Sequence, residues 1–166
     1  PEINPFVPIN QNIGKTKHSG LETSLEYHFT KKFNIYTNYS YLDARFEDNP
    51  DYGDSTLRKT PHNMVNSGIR YEFNFGLITA IDYKFVDKFY MDNEEINEYG
   101  GYSLLNIKLM YKWKGLTLSA AVNNVLDTNY ATYAYASESY NPITHQTSWE
   151  TRYIPVWPVN LNTSIS

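Results

Sequence analysis

The residues of this chain that are able to do chemistry are few and widely separated. Its four histidines, His18, His28, His62 and His145, lie far apart, and it has no cysteine. Without thiolates or a tight group of imidazoles, neither a zinc site nor a disulfide framework is expected. No Gly-x-Ser-x-Gly sequence is present, so the nucleophile signal of a serine hydrolase is missing. The chain is therefore not predicted to be an enzyme, and we assign it no catalytic residue and no cofactor.

The acidic stretch EDNPDYGDS, residues 47–55, resembles a calcium-binding loop only loosely. It lacks the alternating acids and the distal glutamate that an EF-hand uses to surround calcium. A solvated turn is the expected structure here, and no metal site is predicted.

A binding surface is the more plausible kind of site, because tyrosine is unusually frequent. The chain has 16 tyrosines and 8 phenylalanines. The segment YATYAYASESYNPITHQ, residues 130–146, has the adaptable aromatic and polar character of many binding surfaces. This composition is consistent both with ligand contact and with an ordinary exposed surface. The candidate ligand-binding residues are Tyr133, Tyr135, Tyr140 and His145.

The elements that must position these residues are strands. Apolar and polar residues alternate with a period of two, the strand signal, over seven segments: about 18–29, 33–45, 63–73, 77–89, 102–113, 116–123 and 157–166. The connections are alternately short (30–32, 74–76, 112–115) and long (46–62, 87–101, 128–147). This regularity predicts an up-and-down antiparallel sheet with the short turns at one end and the long loops at the other.

Strand length and aromatic placement favour a membrane barrel over a soluble sheet. Strands of about ten residues exceed the usual five or six and match the length that crosses a bilayer at a tilt. The apolar face carries aromatic residues towards both ends, which is typical of outer-membrane barrels: Tyr27, Phe29, Phe33, Phe73, Phe75, Tyr111 and Trp113 near the short turns, and Tyr39, Tyr41, Tyr83 and Phe85 towards the long loops. A soluble β-sandwich or lipocalin-like barrel remains the alternative.

Composition excludes two other classes. The net charge is −4, with both signs interspersed, so the basic stripe of a nucleic-acid-binding protein is missing. Mean hydropathy is −0.55. The sequence has no run of about 18 apolar residues, so a transmembrane helix is not predicted.

Five segments, in order, resemble the C-terminal part of TonB-dependent outer-membrane receptors. They read SGLETSLEYHF (19–29), YTNYSYLDARF (36–46), KTPHNMVNSGIRYEF (59–73), YSLLNIKLMYKW (102–113) and VNNVLDTNY (122–130). Each segment alone is a weak signal, but five in the family's order are a strong one. In the last segment, Asn124 and Asp127 are expected to bond free backbone groups where the sheet ladder ends.

The resemblance implies an all-β fold: an antiparallel, up-and-down transmembrane β-barrel segment of about seven strands from a larger barrel. Residues 1–166 would be a single C-terminal portion without the plug domain, and residues 1–17 an extracellular loop leading into the first strand. The family's last strand ends in an aromatic residue, whereas this chain stops at Ser166 after Ile165. A fragment lacking a few final residues is therefore expected.

The polar face would then line the barrel lumen. Its charged candidates are Glu22, Glu26, Arg70, Glu72, Asp82, Lys84 and Lys108. Arg70 with Glu72, and Asp82 with Lys84, are expected to pair across strands. A ladder of lumen salt bridges is the expected structure, and a docking surface for the plug is the functional interpretation.

The function implied by the resemblance is energy-coupled uptake of a scarce ligand, such as a ferric siderophore, haem or cobalamin, across the outer membrane of a Gram-negative bacterium. The implied partners are membrane lipid, the plug domain and remaining barrel strands of the parent chain, the TonB complex and a small-molecule metal chelate. No nucleic-acid partner is expected. The alternatives are a soluble ligand-binding module, a small outer-membrane barrel without TonB coupling, and a small membrane-barrel enzyme.

Overall fold

The computed structural model describes residues 14–165, which form an all-β structure. The strands within this range are β1 (Lys15–Thr30), β2 (Phe33–Glu47), β3 (Asn63–Glu72), β4 (Leu77–Val86), β5 (Phe89–Tyr90), β6 (Glu98–Tyr99), β7 (Tyr102–Trp113), β8 (Leu116–Asn123), β9 (Ala131–Asn141), β10 (Gln146–Pro155) and β11 (Asn160–Ile165). Within residues 14–165, no helix is long and apolar enough to cross a membrane.

Seven long strands form one antiparallel sheet in the order β1-β2-β3-β4-β7-β8-β11. These are the seven strands that the sequence predicts, and each pairs with the next of the seven in chain order. The bounds differ by a few residues. The first strand begins at Lys15 rather than near residue 18, so the last residues of the expected leading loop belong to the sheet. The rest of that expected loop, residues 1–13, lies outside the described residues.

Tight turns join the strands at one end of the sheet. Between β7 and β8, Lys114 has a φ of 43° and Gly115 a φ of 86°. Two successive residues with positive φ suit the right-handed twist of a hairpin, and glycine adopts such a conformation without steric cost. Lys32 Nζ donates to Asn74 Oδ1 at 2.7 Å, so adjacent turns lie side by side. The long loops therefore all emerge at the opposite end.

The sheet has one apolar and one polar face. Register pairs Ile69 with Ile81 and Ile81 with Ile107 on the apolar face. Near the short turns, aromatic rings on this face form a continuous series of contacts that runs through Tyr27, Phe29, Phe33, Tyr71, Phe73 and Phe75, with successive centroids 4.7 to 5.8 Å apart. This is the aromatic girdle that the sequence predicts at that end.

The end of β2 that follows Tyr41 carries charged residues on the side that is apolar in the rest of the strand. The positions that follow Tyr41 on its outward side are Asp43 and Arg45, whose side chains pair at 2.8 Å. On the opposite side, Ala44 and Phe46 are each only 1% exposed. The polar face of β2 thus becomes apolar at Ala44 and Phe46, beyond Tyr41, where the strand is paired with β1 but no longer with β3.

The prediction that residues 128–147 form a loop is wrong, because they contain β9 and the start of β10. These strands form a separate two-stranded hairpin that carries the chain from β8 to β11. The alternation of Tyr133 and Tyr135 with Ala134 and Ala136 is itself a period-two signal. Alanine is only weakly apolar and depleted in strands, so the pattern is easily taken for a polar loop.

Candidate functional site

The three long connections pack together into what we call the loop layer, formed by loop 1 (48–62), loop 2 (87–101) and loop 3 (124–159). Backbone bonds join them: Lys59 N donates to Tyr90 O at 2.7 Å, and Ala136 N donates to Met91 O at 3.2 Å. Side chains add further links, including Ser55 Oγ to Asn93 O at 2.9 Å. Loop 2 therefore bonds to both of its neighbours.

A small apolar core stabilises the loop layer. Met91, Ala134 and Ala136 are buried, and Phe89, Tyr99 and Trp149 pack against them. The hydroxyl oxygen of Tyr99 also accepts a hydrogen bond from the backbone N–H of Ala131 at 2.7 Å. Together these contacts order residues that loops ordinarily leave mobile.

The Asn-Asn-Val-Leu-Asp segment ends the β8 ladder as the sequence predicts. Asn124 is only 4% exposed and has a φ of 54°. Its Oδ1 accepts from Thr128 N at 3.0 Å and its Nδ2 donates to Thr128 O at 3.0 Å. Asp127 Oδ1 accepts from Val159 N at 3.2 Å, which ties the start of loop 3 to its end.

Two of the candidate ligand-binding residues meet a cation from another loop. Tyr133 and Tyr135 lie on one face of β9 with ring centroids 5.7 Å apart. The ammonium group of Lys59 hydrogen-bonds to the Tyr133 hydroxyl and lies 3.9 Å from its ring centroid. This hydrogen bond and the charge of Lys59 lower the pKa of Tyr133 below its ordinary value. The result is an exposed cation–aromatic cluster of Lys59, Tyr133 and Tyr135.

The other two candidates lie elsewhere. Tyr140 and His145 are at the tip of the β9–β10 hairpin, where the Tyr140 hydroxyl and His145 Nδ1 are 2.8 Å apart. Successive residues of a strand point to opposite faces, so Tyr140 lies on the face opposite to Tyr133 and Tyr135. The four residues therefore form two separate pairs rather than one site.

Lys59 is the residue that sequence analysis missed. It is 74 positions from Tyr133 in the chain, so no local pattern connects the two. A basic residue beside the Thr-Pro-His-Asn sequence is the available signal, and this signal does not identify a partner.

The seven charged lumen candidates all lie on the polar face of the sheet, as the register requires. Arg70 pairs with Glu72 at 3.5 Å, but along β3 rather than across strands. The expected pairing of Asp82 with Lys84 is wrong: among the described residues, the ion-pair partner of Asp82 is Lys108 of β7, at 3.6 Å. Lys84 lies two residues after Asp82 on the same strand, whereas Lys108 lies diagonally opposite Asp82 on β7. Diagonal neighbours of this kind are within reach of a long side chain.

Asp82 also belongs to a row of residues that crosses three strands. Register places Tyr36, Gly68 and Asp82 directly opposite one another on β2, β3 and β4. A side chain at Gly68 would overlap the Tyr36 ring, because a Cβ atom there would lie 2.2 Å from Tyr36 Cε1. The ring therefore passes over Gly68, and the Tyr36 hydroxyl donates to Asp82 Oδ1 at 2.8 Å.

Neither surface has the geometry of a metal centre. Within residues 14–165, no three His, Cys, Asp or Glu side chains come close enough to hold a metal ion. The acidic segment 47–55 is instead closed by its own bonds: Asn49 Oδ1 accepts from Asp51 N at 2.9 Å and from Tyr52 N at 3.1 Å. What the two surfaces offer is cations, phenols and amides for non-covalent binding.

Comparison with known proteins shows a match to one protein family. The family model described as "TonB dependent receptor-like, beta-barrel" matches residues 1–125. None of the curated proteins compared with the chain is significantly similar to it in sequence.

Several solved structures share the fold. The ferric yersiniabactin uptake receptor FyuA from Yersinia pestis is 20% identical, with a TM-score of 0.71 over 92% of this chain and 24% of its own. The siderophore receptor PiuA from Acinetobacter baumannii is 20% identical, with a TM-score of 0.73 over 93% and 22%. The ferric-catecholate import receptor Fiu from E. coli is 20% identical, with a TM-score of 0.70 over 92% and 21%. The chain thus spans less than a quarter of the length of these three structures.

Proposed function

The chain belongs to the TonB-dependent receptor-like β-barrel family, and on this premise we propose that it forms part of the barrel of a receptor that imports a small-molecule metal chelate with energy supplied through TonB. Barrels of this family lie in the outer membrane of Gram-negative bacteria, which confirms the localisation predicted from the sequence. The family and its structural neighbours are receptors and transporters rather than enzymes. The apolar face of the sheet is therefore the lipid face, and the polar face is the lumen face.

The observation that carries the proposal is the fixed loop layer at one end of the sheet. Loops 1, 2 and 3 are joined by backbone hydrogen bonds and hold Lys59 against Tyr133 and Tyr135. A binding surface that is ordered before the ligand arrives loses less conformational entropy on binding. Cations and aromatic rings suit a small, anionic and partly aromatic ligand.

A ferric siderophore is the ligand class that we propose. The solved structures with this fold include receptors described by their ferric yersiniabactin, siderophore or ferric-catecholate ligands. Haem and cobalamin are the other ligands that the sequence resemblance suggests.

The lumen face is proposed to contact the plug domain of the parent chain. Within the described residues, strands β1 and β11 are the two edges of the sheet. Unpaired strand edges are not tolerated in lipid, so the remaining strands of the parent barrel are proposed to pair with them. Glu22, Glu26, Arg70, Glu72, Asp82, Lys84 and Lys108 would then face the plug.

Uptake of radiolabelled iron tests the proposal directly. In the source bacterium, deletion of the gene should reduce uptake of at least one ferric siderophore under iron limitation. Uptake should return with the intact gene and should also be lost when the energy-transducing TonB protein is deleted. Unchanged uptake of every metal chelate supplied, with the receptor deleted, would contradict the proposal.

A further inference from the structure

A pocket of about 200 Å³ opens where loops 1 and 3 meet the ends of β3, β4 and β7. Two lysines and two tyrosines line it: Lys59 of loop 1, Lys84 of β4, Tyr102 of β7 and Tyr133 of β9. No Asp or Glu is among its described lining residues. The pocket is therefore electropositive, although the chain as a whole has a net charge of −4.

The backbone of Lys59 is strained at this pocket. Its φ is 62°, in the left-handed region that favours glycine and disfavours a residue with a Cβ atom. The bond from Lys59 N to Tyr90 O, 2.7 Å long, holds the residue in that conformation. Strained residues of this kind concentrate at ligand-binding sites, where the surrounding structure fixes them.

The lysines and the rings approach the pocket from different elements. Lys59 Nζ lies 3.9 Å from the Tyr133 ring centroid and 5.4 Å from that of Tyr135. Lys84 projects from the lumen face of β4, beside Met64 of β3 and Leu104 of β7. Tyr102 is half-buried at the start of β7 and lines the same pocket. Both cations are thus available above aromatic and apolar walls.

We propose that this pocket binds one anionic aromatic arm of the imported chelate, a catecholate or phenolate, with its oxygens between Lys59 and Lys84 and its ring against Tyr102 and Tyr133. The inference rests on the proposed import function and adds the chemical class of the ligand. Sites for whole small molecules commonly measure about 300–1,000 Å³. The smaller pocket therefore fits one arm rather than an entire chelate.

Three ferric chelates on one synthetic scaffold separate this ligand class from its alternatives. The probes are a tris-catecholate, a trihydroxamate and a tricarboxylate, and binding to the purified full-length receptor in detergent is measured by fluorescence quenching. The tris-catecholate should bind most tightly, because it alone supplies both the negative charge and the aromatic rings. Equal or tighter binding of the trihydroxamate or of the tricarboxylate would overturn the inference.

Substitution of the two lysines locates the site. Lys59→Gln and Lys84→Gln should each weaken tris-catecholate binding by about tenfold or more, the effect of losing a hydrogen bond to a charged group. Lys114→Gln is the matched control, because Lys114 also has a positive φ, of 43°, and also lies over an aromatic ring, 5.1 Å from the Trp113 centroid, but in a short turn at the other end. Its binding should equal that of the wild type.

A second variant separates loss of binding from loss of folding. Lys59→Gly removes the ammonium group and relieves the left-handed strain, so it should unfold no more easily than the wild type and still bind weakly. If the tris-catecholate binds but the Lys59 and Lys84 variants match Lys114→Gln, the pocket is wrong while import stands. If none of the three chelates binds the wild-type receptor, the proposed function fails as well.

Discussion

At the scale of single residues, the position of the Tyr36 side chain depends on both Gly68 and Asp82. The absence of a side chain at position 68 allows the Tyr36 ring to reach Asp82 across an intervening strand. Glycine inside a strand often marks such a close approach. The hydrogen bond from Tyr36 to Asp82 therefore requires a glycine at position 68.

Gly68→Ala should displace the ring and break the bond to Asp82. The expected cost is about 1 kcal/mol of unfolding free energy, because the lumen is hydrated and water replaces part of the lost bond. Tyr36→Phe should cost a similar amount by removing the same hydroxyl. The double variant should be no worse than either single one, since both remove one interaction. Additive losses, measured by urea unfolding in lipid, would show that the two residues act separately.

Lys59 and Tyr133 give a prediction about pH. Since Lys59 lowers the pKa of Tyr133, the folded protein forms the phenolate at a lower pH than the unfolded chain does. The pair therefore adds stability above the unfolded tyrosine pKa of about 10, and this contribution is lost as the pH falls through the lowered folded value. Binding of an anionic ligand should weaken as the phenolate forms, because the phenolate then neutralises Lys59.

NMR titration of isotope-labelled tyrosine measures this effect, with Tyr133→Phe identifying the signal. Lys59→Gln should return the pKa of Tyr133 towards its ordinary value. Lys88→Gln is the control, since Lys88 pairs with Glu98 of loop 2 at 2.8 Å and is not one of the charges that lower the pKa of Tyr133. A signal that Lys59→Gln leaves unchanged would contradict the assigned cause.

At the scale of elements, the β9–β10 hairpin differs from an ordinary surface loop in having one buried face. Ala134 is 0% exposed and Ala136 is 3% exposed, both against Met91 of loop 2. The other face carries Tyr133, Tyr135 and the exposed Ser137. The hairpin is consequently part of the packing of the loop layer, and removing residues 133–140 would disturb loop 2 as well as the candidate site.

Ala134→Leu should loosen the loop layer without unfolding the sheet. Ala134 is buried in the cluster with Met91, and overpacking of a buried alanine costs about 1–3 kcal/mol. Hydrogen exchange in residues 87–101 should therefore become faster, while that of β3 and β4 is unchanged. Ser137→Leu adds the same side chain on the exposed face and should have little effect on exchange. Equal effects of the two substitutions would show that the hairpin does not pack on loop 2.

At the scale of the whole molecule, the outward face is predicted to meet hydrocarbon. Ile81 lies near the middle of β4 on the apolar face, between Ile69 and Ile107. Ile81→Arg should reduce the unfolding free energy of the full-length receptor in lipid by about 2–4 kcal/mol, the penalty for a basic residue at the bilayer midplane. Asn66→Arg, on the lumen face, should cost about 1 kcal/mol or less, since that face is hydrated. Similar costs for both would contradict the assignment of faces.

The orientation of the barrel gives the fifth prediction. Long loops on the extracellular side and short turns on the periplasmic side are the usual arrangement in outer-membrane barrels. A cysteine introduced at Ser137 should react with a membrane-impermeant reagent on intact cells, and one at Lys31 should not. The chain has no native cysteine to interfere. Labelling at position 31 but not at 137 would reverse the orientation.

The sequence alone predicted the seven strands of the main sheet, their order, the two faces and the girdle of aromatic residues. These features are local, because side chains alternate with a period of two along each strand and short turns force neighbouring strands to pair. The end of β8 was also predictable, since Asn124 bonds to the backbone of Thr128 within its own segment. The family resemblance followed from the same local segments in order.

Only the tertiary structure decided which residues form the candidate sites. The Lys59–Tyr133 contact depends on which loops touch, and the Asp82–Lys108 pair depends on which diagonal of the sheet a long side chain follows. Ala134 and Ala136 form part of a core because Met91 of loop 2 packs against them. Such contacts join residues far apart in the chain, so their geometry is set by packing between elements rather than by the pattern within any one of them.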